Sequence, residues 1–210
     1  MKDIPIFDTQ YGVGSLALAE VSYRQEAYIT IGAVTDLTLF LEEAAGFCRA
    51  VGAESVYATG HPDLEKYPLY NIVLLLSAAK SKLSTTDATL IAVTEESWAQ
   101  WQDLYNEKFR KVPNAVTITG KDMQNLLGSC YFVYRGEMLV GIGKADGNRI
   151  GAIAAFVPGA GRDVVLALAH SLQSDKVTIE VASANPKAYD LYKRLGFELE
   201  QERIKWFKVK

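Results

Sequence analysis

Residues 177–197 read VTIEVASANPKAYDLYKRLGF. Val177, Ile179 and Val181 alternate with Thr178, Glu180 and Ala182, the period-two pattern of a strand that buries one face. A short helix is predicted to follow at once. Asn185 can cap its first turn through the side-chain oxygen, and Pro186 suits the first helical position, where an N–H has no intrahelical acceptor. Ala188, Leu191, Tyr192 and Leu195 then share one helical face, and Gly196 ends the helix where a left-handed residue is required. From Phe197 the chain is extended again, and 198–209, ELEQERIKWFKV, reads as a second strand.

Glu180-Val181, Asn185, Ala188, Leu191-Tyr192 and Leu195-Gly196-Phe197, in this order behind an apolar strand, resemble the closing motif of the GNAT acyltransferase superfamily. A lone Leu-Gly-Phe would carry no information; the ordered set does. The resemblance implies an α/β (α+β) fold with a mixed, mostly antiparallel sheet flanked by helices.

Upstream the order of elements agrees. Ala88–Val93 is strand-like, and a helix from Glu95 or Ser97 carries Trp98, Trp101, Leu104, Tyr105 and Phe109 at helical spacing, a stripe read as core. Lys121–Leu127 offers a second short helix ending at Gly128. Cys130–Tyr134, Met138–Lys144 and Ile150–Val157 form a meander with turns at Arg135-Gly136-Glu137 and Asp146-Gly147-Asn148. With a helix expected over Val164–Leu172, residues 83–210 read as a GNAT acetyltransferase domain.

The first 82 residues are predicted to be a partial, diverged copy of it, because hairpin, helix, strand and helical turn recur about 123 residues later. An unrelated α+β extension is the competing reading. Met1–Tyr11 reads as extended, Gly12 and Gly14 as a break, and Leu16–Tyr23 with Ala27–Val34 as a hairpin about Arg24-Gln25-Glu26. A helix runs from Thr35 or Asp36 to about Ala50, and Glu54–Thr59 is a strand. Asn71–Lys80 fits either a buried strand or a helix. Ser81–Asp87 reads as a linker.

Composition narrows the function classes. The 210 residues are 49% hydrophobic and 22% charged, as in ordinary globular proteins. A net charge of -3, a pI near 5.5 and no Lys/Arg cluster point away from nucleic acid. No apolar run approaches the roughly 20 residues that cross a bilayer, and MKDIPIFDTQ has no signal-peptide pattern. A cytoplasmic protein is expected, not bound to membrane. Cys48 and Cys130 lack metal-ligand spacing, so no metal is expected.

The resemblance implies acetyl transfer from acetyl-CoA to an amine. In the family, the strand matching Phe156 and Val157 at its end pairs with the pantetheine arm and leads into a glycine loop at a helix N-terminus, whose free N–H groups and dipole attract the pyrophosphate. The loop here is Pro158-Gly159-Ala160-Gly161-Arg162-Asp163, followed by Val164. The usual order is Gln or Arg, two residues, Gly, one residue, Gly or Ala. Here Gly159 and Gly161 come early, with Arg162 able to supply charge; a plain strand-to-helix turn is the alternative.

By resemblance Tyr192 is the acid that protonates the departing thiolate, and Asn185 contacts the CoA arm besides capping its helix. A tyrosine, with a pKa of about 10, stays protonated at neutral pH. No general base is fixed by spacing: Glu180, Glu137 and Asp122 are visitors, and His61 and His170 are weak candidates.

The expected function is acetyl-CoA-dependent N-acetylation of a small-molecule or peptide amine by direct attack. The alternative is a noncatalytic GNAT-fold binding or regulatory module. The N-terminal region could cover the acceptor cleft, extend the sheet or make a homodimer contact.

Overall fold

The computed structural model describes residues 2–210. The chain divides into two compact units, Met1–Ile72 with Ile204–Lys210, and Val73–Arg203. This differs from a division at 82/83: the second unit begins at Val73, and the first takes in Ile204–Lys210 from the C-terminal end of the sequence.

In the first unit β1 (Ile4–Thr9) and β2 (Gly12–Ala17) form an antiparallel hairpin with Phe7 opposite Gly14. A single helical turn, α1 (Val21–Arg24), leads to β3 (Glu26–Val34), antiparallel to β2 with Leu16 opposite Ile29. The hairpin expected about Arg24-Gln25-Glu26 is therefore corrected. Gln25, at φ 57, closes a helical turn rather than a hairpin. Gly12 and Gly14 lie inside β2, because a Cβ at either would stand 2.6 Å from a carbonyl oxygen of β3, Ala33 O or Thr30 O.

Asp36 accepts from Leu39 N at 3.0 Å and starts α2 (Leu37–Ala50), which buries Phe40, Leu41, Ala44, Ala45 and Cys48. β4 (Ser55–Thr59) then runs parallel to β3 in register from Glu26 opposite Ser55 to Thr30 opposite Thr59. A 3-10 turn, Pro62–Lys66, precedes β5 (Leu69–Ala79). Phe207 and Lys208 pair antiparallel with Ala58 and Tyr57 and close the unit.

The second unit begins within β5, so the open choice for Asn71–Lys80 resolves as a strand. Next come β6 (Thr89–Ala92), α3 (Trp98–Phe109), a 3-10 turn (Gly120–Asp122) and α4 (Met123–Leu126). The predicted meander follows as β7 (Cys130–Arg135), β8 (Met138–Asp146) and β9 (Arg149–Ala155). Then come α5 (Gly161–Ser171), β10 (Lys176–Ala182), α6 (Pro186–Arg194) and β11 (Glu198–Lys208).

The strand order of this unit is β5-β10-β9-β8-β7-β6. Only β9–β10 is parallel, giving a mixed, mostly antiparallel sheet flanked by helices. On α3, Trp98, Trp101 and Tyr105 are buried and stack successively, with Trp101 fully covered, so the aromatic stripe is core. α5 lies close on β8 because Gly141 and Gly143 have no side chains: a Cβ at Gly141 would stand 2.5 Å from Val164 Cγ2, and one at Gly143 would collide with Leu168. Among the described residues no helix is long and apolar enough to cross a membrane.

Candidate functional site

β9 and β10 pair only at Arg149 opposite Thr178 and Ile150 opposite Ile179. Beyond Ile150 they separate. β10 stays supported by β5 from Lys176 opposite Ala79 to Ala182 opposite Val73, while β9 stays paired with β8. The peptide groups of β9 that point away from β8 therefore lack a neighbouring strand beyond Ile150. They border a cavity of about 270 Å³ lined by Ile150–Ala155, Ile179–Ala182, Asn185, Ala188 and Tyr192, with Lys108, Phe109 and Val112 across it.

The 177–197 stretch builds one wall. Asn185 Oδ1 accepts from Ala188 N at 3.3 Å, Gly196 takes φ 97, and Phe197 N donates to Tyr192 O at 3.0 Å. This closes α6 and points its apolar face inward. Tyr192 is 6% exposed and meets Phe197 with ring centroids 6.2 Å apart. Burial pushes its hydroxyl well above the usual phenol pKa, so it is present as a proton donor. Asn185 and Tyr192, separated by two turns of one short helix, thus line the same cleft.

At the far end of β9, Phe156 N donates to Val140 O at 2.9 Å, and Lys108 Nζ stands 5.5 Å from the Phe156 ring centroid. Val157 O accepts from Ala160 N at 3.1 Å in a turn where Gly159 has φ 83. α5 starts at Gly161, three residues earlier than expected, with Ala160 at the N-cap position and no side-chain cap hydrogen bond. Gly161, Arg162 and Asp163 are its first turn, whose N–H groups have no acceptor within the helix.

Of Val164, the N–H donates to Ala160 O at 3.0 Å and the side chain is buried in the core.

The two charges beside this turn are engaged. Asp163 forms a short ion pair with Arg135 and accepts from Thr86 Oγ1 at 3.0 Å. Burial opposes its charged form, but the Arg135 and Thr86 hydrogen bonds and the positive charges of Arg135 and Arg162 outweigh it and hold the carboxyl below its usual range. Arg162 Nη2 donates to Ser84 Oγ at 2.9 Å and to Thr85 O at 3.3 Å. The 81–87 stretch, read as a linker, is thus tied down to α5.

Of the carboxylates considered as bases, Glu180 alone lines the cleft, where it is held by Arg149 at 2.6 Å and Arg203 at 3.0 Å. Asp122 Oδ2 caps its own turn, accepting from Thr119 N at 2.7 Å. His61 Nδ1 caps the 62–66 turn, and His170 Nε2 lies 3.1 Å from Ser84 O. Burial pushes the thiols of Cys48 and Cys130 up to about 11, so both are protonated at neutral pH. Lys108, Phe109 and Val112 went unremarked in the sequence as site residues, because their spacing is that of any amphipathic helix and its exit. No three His, Cys, Asp or Glu side chains gather as a metal would need, among the described residues.

No known protein family and no curated protein matches the chain in sequence. Solved structures do match. A conserved Staphylococcus epidermidis protein of unknown function superposes with TM-score 0.62 at 13% identity, covering 99% of this chain and 93% of that one. A GCN5-related N-acetyltransferase of Kribbella flavida gives 0.57 at 10% identity over 94% of this chain and 56% of that one. An acetyltransferase of the GNAT family from Colwellia psychrerythraea gives 0.54 at 13% identity over 98% and 84%. At such identities the likeness is one of fold, and the fold of this chain is that of the GNAT acyltransferases.

Proposed function

We propose that the protein is an acetyl-CoA-dependent N-acetyltransferase acting on a primary amine of a small molecule or peptide. One observation carries this: β9 and β10 part after two paired positions, and the cleft between them has a protonated, buried tyrosine on its wall. The amide edge of β9 suits the amide-bearing pantetheine arm, which pairs with such an edge as a further strand would. The neutral amine nitrogen attacks the thioester carbonyl carbon, the C–S bond breaks, Tyr192 gives its proton to the departing thiolate, and the proton lost by nitrogen returns through water to the Tyr192 oxygen. The cysteines take no part. The first-turn N–H groups of α5 would face the pyrophosphate, with Asn185 on the arm.

A second reading, a noncatalytic binding or regulatory module, is favoured by Asp163. Its carboxylate is fixed in the first turn of α5, where a phosphate gains from positive potential and is opposed by a negative charge.

Calorimetric titration of acetyl-CoA, paired with a thiol-release assay on an amine panel, decides between them. Micromolar binding, weakened by Gly161→Pro, and turnover depressed by Tyr192→Phe support the enzyme. Proline suits the first helical position and removes one N–H. Binding without turnover of any amine supports the module, and no binding overturns the acetyltransferase reading.

A further inference from the structure

A second cavity of the Val73–Arg203 unit, about 440 Å³, lies between β8–β9 and the α3–α4 connection. Gly151 and Ala152 line both it and the β9–β10 cleft. They adjoin the closed end of that cleft, where Ile150 still faces Ile179. If the pantetheine arm lies in the splay, its thioester end comes to the wall that the two cavities share.

The lining divides by chemistry. Tyr105, Val116, Ile118 and Leu126 make an apolar side. Lys144, Asp146, Arg149 and Asp122 supply the charges. Two are committed: Arg149 pairs with Glu180 at 2.6 Å, and Asp122 caps its own turn through Thr119. Lys144 and Asp146, two residues apart on β8, have no ion-pair partner among the described residues. The stem of Lys144 runs beside Gly151, its Cδ 3.5 Å from where a Cβ would stand.

We propose that this cavity is the acceptor subsite and that it takes an apolar α-amino acid. The free acid's carboxylate meets the Lys144 ammonium, Asp146 gives the incoming ammonium a counter-charge, and the side chain lies against Tyr105, Val116, Ile118 and Leu126. One uncommitted cation suits a monoanion rather than a phosphate. This rests on the acetyl-CoA reading above. In the reaction the ammonium first gives one proton to water, the neutral amine's N–C bond to the acetyl carbon forms as the C–S bond breaks, Tyr192 protonates the thiolate, and the second proton lost by nitrogen returns through water to the Tyr192 oxygen, so that one proton is released overall.

The test compares L-leucine, L-leucinamide, 3-methylbutylamine and 1,5-diaminopentane, on wild type, Lys144→Gln and Asp146→Asn. Saturation-transfer NMR without acetyl-CoA reads the cavity alone; thiol release reads turnover; acetyl-CoA calorimetry checks that each variant keeps its cleft. The expected result is leucine contacts in wild type that are lost in Lys144→Gln. With them goes a kcat/KM for leucine about 100-fold above leucinamide, the size of one lost charged hydrogen bond, arising in KM and abolished by Lys144→Gln. Asp146→Asn raises KM for leucine. Leucinamide or the diamine equalling leucine, or a leucine preference that survives Lys144→Gln, overturns the proposal while leaving acetyl-CoA binding intact. Failure of acetyl-CoA to bind is a failure of the cleft reading, and absence of leucine NMR contacts overturns the subsite independently of it.

Discussion

Gly151 holds in the second unit the register position that Tyr28 holds in the first. Arg149 opposite Thr178 lies 123 positions after Glu26 opposite Ser55 in both strands, so Tyr28 opposite Tyr57 corresponds to Gly151 and Glu180. Tyr28 and Tyr57 stack with centroids 5.3 Å apart, and Tyr57 stacks on Tyr70 at 3.9 Å. The Tyr28 hydroxyl donates to Glu26 at 2.7 Å. There β3 and β4 pair over five positions where β9 and β10 pair over two. A parallel strand pair stays closed beside stacked rings in the first unit, and one at the same offset separates beside a glycine in the second.

Gly151→Tyr should therefore close the cleft without unfolding the protein. Gly151 does not need a positive φ, and an added Cβ would meet only the Lys144 stem at 3.5 Å, an ordinary contact. Circular dichroism and Tm should change little, and acetyl-CoA affinity should fall at least about 100-fold, the effect of losing roughly 3 kcal/mol of contacts.

Tyr192→Phe keeps the ring against Phe197 and removes the donor. Acetyl-CoA affinity should stay within a few-fold, and kcat should fall about 100-fold, within the usual range for a lost general acid. Steady-state kinetics beside calorimetry separates the two; equal loss in both would show that the hydroxyl only binds.

Gly143→Val should destabilise the second unit by about 1–3 kcal/mol, because Leu168 of α5 occupies the space its side chain needs. Denaturant unfolding followed by tryptophan fluorescence measures this, with Gly147→Ala, in an open turn where nothing lies within 4 Å, isolating the cost of a positive φ without a clash.

Asp163→Asn should flatten the acid side of the stability curve. The folded carboxyl is held below its usual range, so its contribution is present above the unfolded pKa and is lost as pH falls through the folded one. Arg135 is half exposed, so the solvent-screened effect near neutral pH is about 0.5–1 kcal/mol, shrinking below about pH 4. Unfolding midpoints of wild type and variant that run parallel from pH 7 to 3 would show that the pair adds nothing.

Legibility followed local punctuation. Val177–Phe197 could be read because Asn185, Pro186 and Gly196 mark its helix and the valines alternate; the three-stranded meander could be read because Gly136 and Gly147 mark its turns. The 123-residue offset was visible in the order of elements and reappears in the β3–β4 and β9–β10 registers. The N-terminal hairpin was misplaced because Gly12 and Gly14 serve close strand approach, which in sequence looks the same as a break. The start of α5 was missed by three residues for a related reason: Gly161 opens a helix as readily as it makes a turn. That the first unit takes in the end of β11 is set by long-range pairing, for which β11 carries no local mark. Tyr192 could be singled out only through its motif, since its spacing is that of a core residue, and Lys144 and Asp146 become notable only once their neighbours prove to be paired elsewhere.

Hydrogen–deuterium exchange with and without acetyl-CoA tests the central claim most directly, because it reports which backbone amides the ligand covers. The account predicts new protection at Gly151–Ala155 of β9 and in the first turn of α5, with Tyr28–Thr30 of β3 unchanged. Protection appearing in β3 and α2 instead, or nowhere, would contradict it.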